Sequence, residues 1–465
     1  MFFAALLFAT SFEPLGFWLA APIAYALFLR RISSRAYSAA SYSAALYRDV
    51  FIFAFLSSLI TLVWAGKYVG FIPLAFLALL HGLFYLPLAL LRRYTSNVLL
   101  FIPAILVIEE IRARFPFAGF SWMRIAFSQA DAPYLAIVSV GGVTLLSAWV
   151  LFISLIFTKI RVKRIALALI LILSPLLLSH SPDPVGILSY AGVQGNTPTV
   201  GLGFNDRAKA VFNLHVRTTK EMITTKPDLI IWPENAIDVD PFTNLDVQQS
   251  IESITSTFAA PLIAGAVTRT SGKLENVSVM YNVNGEVASL YSKQYLTPFG
   301  EYIPLRSIAR LVSPFVDNVS DFSQGERTDV HRVETIDIAP VICYELLSDS
   351  LVRNAAARSQ AFVVQTNSAT FAGTSESAQQ LNITRIRAVE NAREIVSIST
   401  IGISAHIDIN GHVTQQTPEN VQAILEGQLQ GVKNQSIASR LGSTATPLAL
   451  VISFSPFALR RIRPS

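Results

Sequence analysis

The stretch 340–346 reads PVICYEL: a short apolar run, then the single cysteine of a 465-residue chain, then an aromatic and an acid. Pro340–Ile342 has the β-rich character of a buried strand, so Cys343 stands at its carboxyl end. Similar short runs at Val185–Val193, Asp228–Trp232, Leu262–Val267, Ala361–Gln365 and Ile395–Thr400 are separated by helical or loop-like stretches, which is an α/β pattern. Ser375–Arg393 has few breakers and reads as one helix.

Two further polar residues share the placement of Cys343. Glu234 follows DLIIW in IIWPENA, and Lys293 lies in YSKQYLTPFGEYIP. Open α/β sheets bind ligands beyond the carboxyl ends of their strands. A thiol, whose ordinary pKa is about 8.5, needs a base and a cation to become a useful nucleophile. The expected roles follow. Glu234 takes the thiol proton, Cys343 attacks an acyl carbonyl, and Lys293 with the backbone N–H of Tyr344 holds the oxyanion. Glu301 and Glu345 are expected to hold the Lys293 ammonium or to position a second substrate. Singly, a cysteine in an apolar strand is usually a packed small hydrophobe and a loop lysine is usually solvated. Three such residues in distinctive neighbourhoods favour function.

Hydrophobic residues make up 52% of the chain and charged ones 14%, which disfavours a simple soluble globule. Residues 181–444 hold 19 Lys and Arg against 26 Asp and Glu, a net of −7, while the rest holds 17 against 5, a net of +12. Positive charge therefore flanks apolar stretches, and no basic stripe for nucleic acid remains. One cysteine and six scattered histidines leave no disulfide framework and no metal-ligand spacing, so neither metal nor cofactor is expected.

Apolar runs at Pro14–Leu29, Val50–Gly66, Phe71–Leu91, Val98–Ile111, Leu135–Phe157, Ile165–Leu178 and Pro447–Leu459, with a shorter one from Met1, suggest seven or eight membrane spans. Met1–Thr10 lacks a basic start and a cleavage site, so it reads as a retained first span. Lys and Arg gather in the loops after the second, fourth and sixth runs counted from Met1, from Lys159 to Arg164 for example, and in the tail at Arg460, Arg461 and Arg463. The positive-inside rule puts both termini in the cytoplasm and the acidic middle outside. The expected organisation is a membrane domain of about seven helices over 1–180, an extracytoplasmic α/β domain over 181–444, and a C-terminal membrane helix with a basic tail over 445–465.

WPEN around Glu234, Lys293 eight residues before the Glu of PFGEYIP, and CYE at Cys343 are similar to the Glu-Lys-Cys site of the nitrilase superfamily. PFGEYIP at Pro298–Pro304, RIRAVENAR at Arg385–Arg393 and EEIRARFPFAGFSWMRIAFSQ at Glu109–Gln129, with Arg112 and Trp122 matching, narrow the likeness. The chain resembles the apolipoprotein N-acyltransferase family over almost its whole length.

The resemblance implies a nitrilase-like αββα sandwich joined to a multi-pass α-helical membrane domain in a bacterial cytoplasmic membrane. It implies Glu234 as base, Lys293 as oxyanion-stabilising lysine and Cys343 as nucleophile. Glu301, Tyr344 and Glu345 would support them, with Asn276 a weaker match. It further implies a phospholipid acyl donor and, as acceptor, the α-amino group of a diacylglyceryl-modified apolipoprotein cysteine. Two stretches depart from the pattern: NDxWFG in many members is NSATFAG at Asn367–Gly373, with Ser368 for the acid and Thr370 for the tryptophan, and GFPW is GFSW at Gly119–Trp122.

Apolar residues around Phe299, Tyr302, Phe315 and Phe322 are expected either to cover the site or to pack as core. The rival readings are a membrane-tethered amidohydrolase, in which water resolves the thioester, and a transporter or scaffold. Few ionisable residues near the spans argue against the last.

Overall fold

The computed structural model describes residues 1–34, 42–159, 161–178, 182–201, 208–311, 316–317 and 319–462. Arg35, Phe315, Arg463 and the expected boundary at 180–181 lie outside them. The chain folds as two compact units, Met1–Ser179 with Leu441–Ser465, and His180–Arg440.

The first unit is helical: α1 (Phe2–Ala9), α2 (Ala20–Ile32), α3 (Tyr42–Thr61), α4 (Val63–Val69), α5 (Phe71–Tyr94), α6 (Phe101–Arg112), α7 (Val138–Phe157), α8 (Val162–Leu173) and, from the chain end, α15 (Ala445–Ile462). Four stretches of helix among the described residues are long and apolar enough to cross a membrane: Ala44–Thr61, Phe71–Tyr94, Leu135–Phe157 and Ile437–Phe454. The helices in the other expected runs have 8 to 13 residues, short of the roughly 20 that span a bilayer untilted. α5 is apolar on both faces. It buries Leu74, Ala78, Tyr85 and Leu88 inside the unit and leaves Phe76, Leu79, Leu83 and Leu90 exposed. A helix apolar all round suits a lipid surround.

Glu109, Glu110 and Arg112 lie in the last turn of α6 and are buried. Glu110 accepts hydrogen bonds from Arg124 and, at 2.7 Å, from the Thr144 hydroxyl, while Glu109 caps the Ile125 N–H at 2.7 Å. Buried charges of this kind persist because they are paired.

The second unit is a four-layer sandwich. One sheet runs, in spatial order, β12 (Ala423–Val432), β1 (Pro184–Gln194), β2 (Leu229–Ile231), β3 (Leu262–Thr270), β4 (Lys273–Tyr281) and β5 (Val287–Ser292). The other runs β11 (Val413–Gln416), β10 (Ala405–Ile407), β9 (Glu394–Ser399), β8 (Ala361–Thr366), β7 (Ile336–Ile342) and β6 (His331–Val333). Leu188, Ile231 and Ile263 of the first sheet meet Ile338, Val363 and Val396 of the second in one buried cluster. The opposite face of the first sheet buries Phe212 of α9 (Ala210–Met222) and Val247, Ile251 and Ile254 of α10 (Leu245–Phe258). The short α11 (Arg306–Ala309) follows PFGEYIP. α12 (Asp349–Ala357) and α13 (Glu376–Asn391) contact the second sheet, and α14 (Ile437–Leu441) ends the unit.

Topology places the site. β1, β2 and β3 are parallel neighbours, as are β7, β8 and β9. Parallel strands bring their carboxyl ends together, so Glu234 after β2 and Cys343 after β7 emerge at the same kind of edge.

Candidate active site

Each segment carrying a candidate residue contains a non-glycine residue in the left-handed region: Asn235 (φ 54°) beside Glu234, Phe299 (φ 64°) in PFGEYIP, and Cys343 itself (φ 49°). Such a conformation costs roughly 1–3 kcal/mol and persists only where the surroundings impose it. At Cys343 the cause is visible. β7 stops at Ile342, the chain turns into a single tight turn over Cys343–Leu347, and the thiol is lifted out of the strand line. Two glycines let backbones approach closely. A Cβ on Gly265 would lie 2.3 Å from the Pro233 carbonyl oxygen, and one on Gly325 would lie 2.1 Å from Ser292 Cβ, beside Lys293.

Lys293, 1% exposed, sits between two carboxylates: its Nζ is 3.0 Å from Glu234 Oε1 and 2.8 Å from Glu301 Oε2. Asn276 of β4 donates its amide to Glu234 Oε1 and to Glu301 Oε1, both at 2.8 Å. The Thr297 N–H caps Glu301 Oε2 at 2.8 Å. Glu301 therefore holds the lysine. Glu345 does not. Its carboxylate accepts from the backbone N–H groups of Ile342 (2.8 Å) and Gln294 (2.7 Å) and from the Tyr291 hydroxyl (2.8 Å). It ties the strand entering Cys343 to the segment leaving Lys293. Tyr344 stacks on Tyr295, with ring centroids 5.3 Å apart.

Charge balance explains the protonation states. Burial pushes the Cys343 thiol well above its ordinary value, Glu234 adds to that, and Lys293 pulls back. Burial thus disfavours the thiolate. Burial likewise raises Glu234 against the pull of Lys293. Burial opposes the Lys293 charge, but Glu234, Glu301 and the cysteine outweigh it, and its pKa rises. Burial brings Glu345 up to about 7. Glu234 Oε1 is committed to Lys293 and Asn276, and no hydrogen bond to its Oε2 is formed among the described residues.

Residues 4–156 match the apolipoprotein N-acyltransferase N-terminal domain, and residues 191–437 match the carbon-nitrogen hydrolase family. An apolipoprotein N-acyltransferase from Pseudomonas putida is 30% identical over 406 residues, 81% of this chain and 78% of that protein. This chain belongs to the apolipoprotein N-acyltransferase family. The relative of the same name from Mycolicibacterium smegmatis is 29% identical over 358 residues, 68% of this chain but 60% of that protein, so the match covers less than two thirds of that relative. Among solved structures, a CN-hydrolase superfamily protein from Xanthomonas campestris aligns at TM-score 0.41 and 15% identity, covering 60% of this chain and 98% of that one. The four apolar helices and the family together make this a membrane protein.

Two residues at the site are not singled out by the sequence. Gln380 of α13 donates to Cys343 Sγ at 3.6 Å, and Glu376, one turn earlier, is buried and acts electrostatically on Cys343. The available signal was the polarity of α13. Glu376, Gln379, Gln380, Thr384, Arg387 and Glu390 are all buried, a helix whose inward face is polar. Phe299 is half exposed, and the Phe322 N–H bonds the Glu301 carbonyl at 2.7 Å, so Phe322 belongs to the packing of PFGEYIP.

Proposed function

We propose that the protein is a phospholipid-dependent N-acyltransferase that works through a thioester on Cys343. The observation that carries this reading is the buried Glu234–Lys293–Glu301 cluster beside a thiol held in a left-handed turn, in a chain whose other unit is apolar enough for a bilayer. Glu234 Oε2 accepts the proton of Cys343 as Sγ attacks the ester carbonyl of a glycerophospholipid. Lys293 Nζ and the Tyr344 N–H hold the oxyanion. Collapse breaks the C–O bond, and the leaving lysophospholipid oxygen takes the proton back from Glu234. The α-amine of a diacylglyceryl-cysteine then attacks the thioester, the C–S bond breaks, and the amine proton returns through Glu234 to the sulfur. A membrane setting supports transfer over hydrolysis by bringing lipid to the site and limiting water.

The charge distribution supports a catalytic unit outside the cytoplasm and a cytoplasmic C-terminus. A C-terminal reporter active only in the cytoplasm tests that orientation.

Intact-mass spectrometry tests the chemistry. Wild-type protein incubated with phospholipid gains one fatty-acyl mass and passes it to a diacylated lipopeptide, and Cys343→Ser does neither. Free fatty acid without acylated lipopeptide would replace this reading with the amidohydrolase one. Absence of any adduct on folded wild type would end both.

A further inference from the structure

Glu376 opens α13 and is 4% exposed. Its carboxylate hydrogen-bonds the side chains of Ser368 and Ser377, while Oε2 is buried with no partner among the described residues. No Lys, Arg or His among the described residues pairs with it. Residues four apart share a helix face, and on that face Gln380 reaches Cys343 Sγ at 3.6 Å. The charge of Glu376 acts on both Cys343 and Glu234.

The surroundings lean the same way. Asn276 Oδ1 and Asn235 Oδ1, on segments that carry site residues, are also buried acceptors without partners among the described residues. Three carboxylates, Glu234, Glu301 and Glu376, act on the Cys343 thiol against the one ammonium of Lys293. A site with spare acceptors and surplus negative charge suits a cationic ligand with several N–H donors. The Ser368 hydroxyl contacts the Glu376 carboxylate, so position 368 adjoins the same charge.

We infer that Glu376 is the counter-charge for the acceptor's α-ammonium, holding it beside the acyl-thioester and selecting an amine over water. The inference rests on the acyltransfer reading. The bound ammonium passes one proton to the Glu376 carboxylate and so gains the lone pair that attacks the thioester carbon. The N–C bond forms, the C–S bond breaks, and the second amine proton goes to Glu234 and on to the sulfur. An α-amino group of ordinary pKa about 7.7–8.0 is matched within about one unit by a carboxyl that burial lifts to about 7.

The test separates the half-reactions in the full-length protein. In Glu376→Gln, acylation of Cys343 from phospholipid is followed by intact mass, and transfer from preformed acyl-enzyme to a diacylated lipopeptide by single turnover. Transfer is expected to fall roughly 10- to 100-fold relative to acylation, the range for a charged hydrogen bond. Adding Ser368→Asp to Glu376→Gln is expected to restore most of it. An unchanged ratio of the two rates, or no recovery in the folded double variant, overturns the inference. Wild type that forms no acyl-enzyme overturns the acyltransfer reading instead. A readout without any variant compares the lipopeptide with an analogue whose α-amine is a hydroxyl, as inhibitors of wild-type transfer. Inhibition about ten-fold weaker or more by the hydroxyl analogue is expected, and equal inhibition would refute the role.

Discussion

The second unit buries clusters of paired charge around Lys293 and around Arg387, and the two end differently. At Arg387, Nε donates to the Leu346 carbonyl at 2.8 Å, Nη1 to Glu390 and Nη2 to Asp349 Oδ1 at 2.7 Å. Arg353 closes the group on Glu390 Oε1 at 2.9 Å, and Asn391 beside it accepts from the Ser439 hydroxyl at 2.8 Å. Every charged group there meets an opposite charge. Around Lys293 the cation is satisfied, yet among the described residues Asn276 Oδ1 and Glu376 Oε2 are buried and left over. Buried polar atoms normally find partners. The Arg387 cluster closes on itself, and the Lys293 cluster leaves acceptors unused among the described residues.

The largest effect should come from breaking the open cluster. Glu234→Gln removes the proposed base and Lys293→Met removes the cation proposed to hold the oxyanion. Each is expected to cut turnover by about 10³-fold or more, measured as lipopeptide N-acylation, while intact mass and thermal unfolding report a folded chain. Retained turnover in either would mean that the carboxylate of Glu234 or the charge of Lys293 is not used as described. Breaking the closed cluster should do the reverse. Arg353→Ala leaves Glu390 with one cation and is expected to cost about 3 kcal/mol of stability, the lower end for a broken buried pair. Activity per folded molecule should stay within a few-fold. A large loss of activity at unchanged stability would erase the distinction between the clusters.

How much of this was legible in the sequence follows the same line. Glu234, Lys293 and Cys343 can be read because each sits after a strand, where an α/β sheet exposes its edge, and local pattern carries that information. The strand expected at Pro340–Ile342 begins earlier, at Ile336, because pairing with β8 starts at Ile338 and β6 pairs with Ile336 to Ile338. The role of Glu345 was not legible. Its partners Gln294 and Tyr291 come from some fifty residues upstream, and only the fold decides whether it faces an ammonium or backbone N–H groups. Glu376 and Gln380 were hidden for a related reason. A polar helix in sequence looks solvated, and only the sheet beneath α13 shows that its polar face points inward.

The smallest effect distinguishes a carboxylate kept for a guest from one kept for stability. Burial lifts Glu376 from an ordinary 4.5 to about 7 on folding. The folded chain then binds more protons at this group than the unfolded chain between those values, so its contribution to stability declines as pH climbs through that window and is most adverse above 7. Below pH 4.5 both states are protonated and the burden disappears. Glu376→Gln removes the ionisable group and is therefore expected to stabilise the protein at pH 8 by about 1–3 kcal/mol relative to wild type. At pH 4.5 the gain should shrink toward zero, read as unfolding temperatures of both proteins in the same detergent. No gain at pH 8 would mean the carboxylate is already compensated in the folded state, which would close the open cluster and remove the ground for giving Glu376 a ligand.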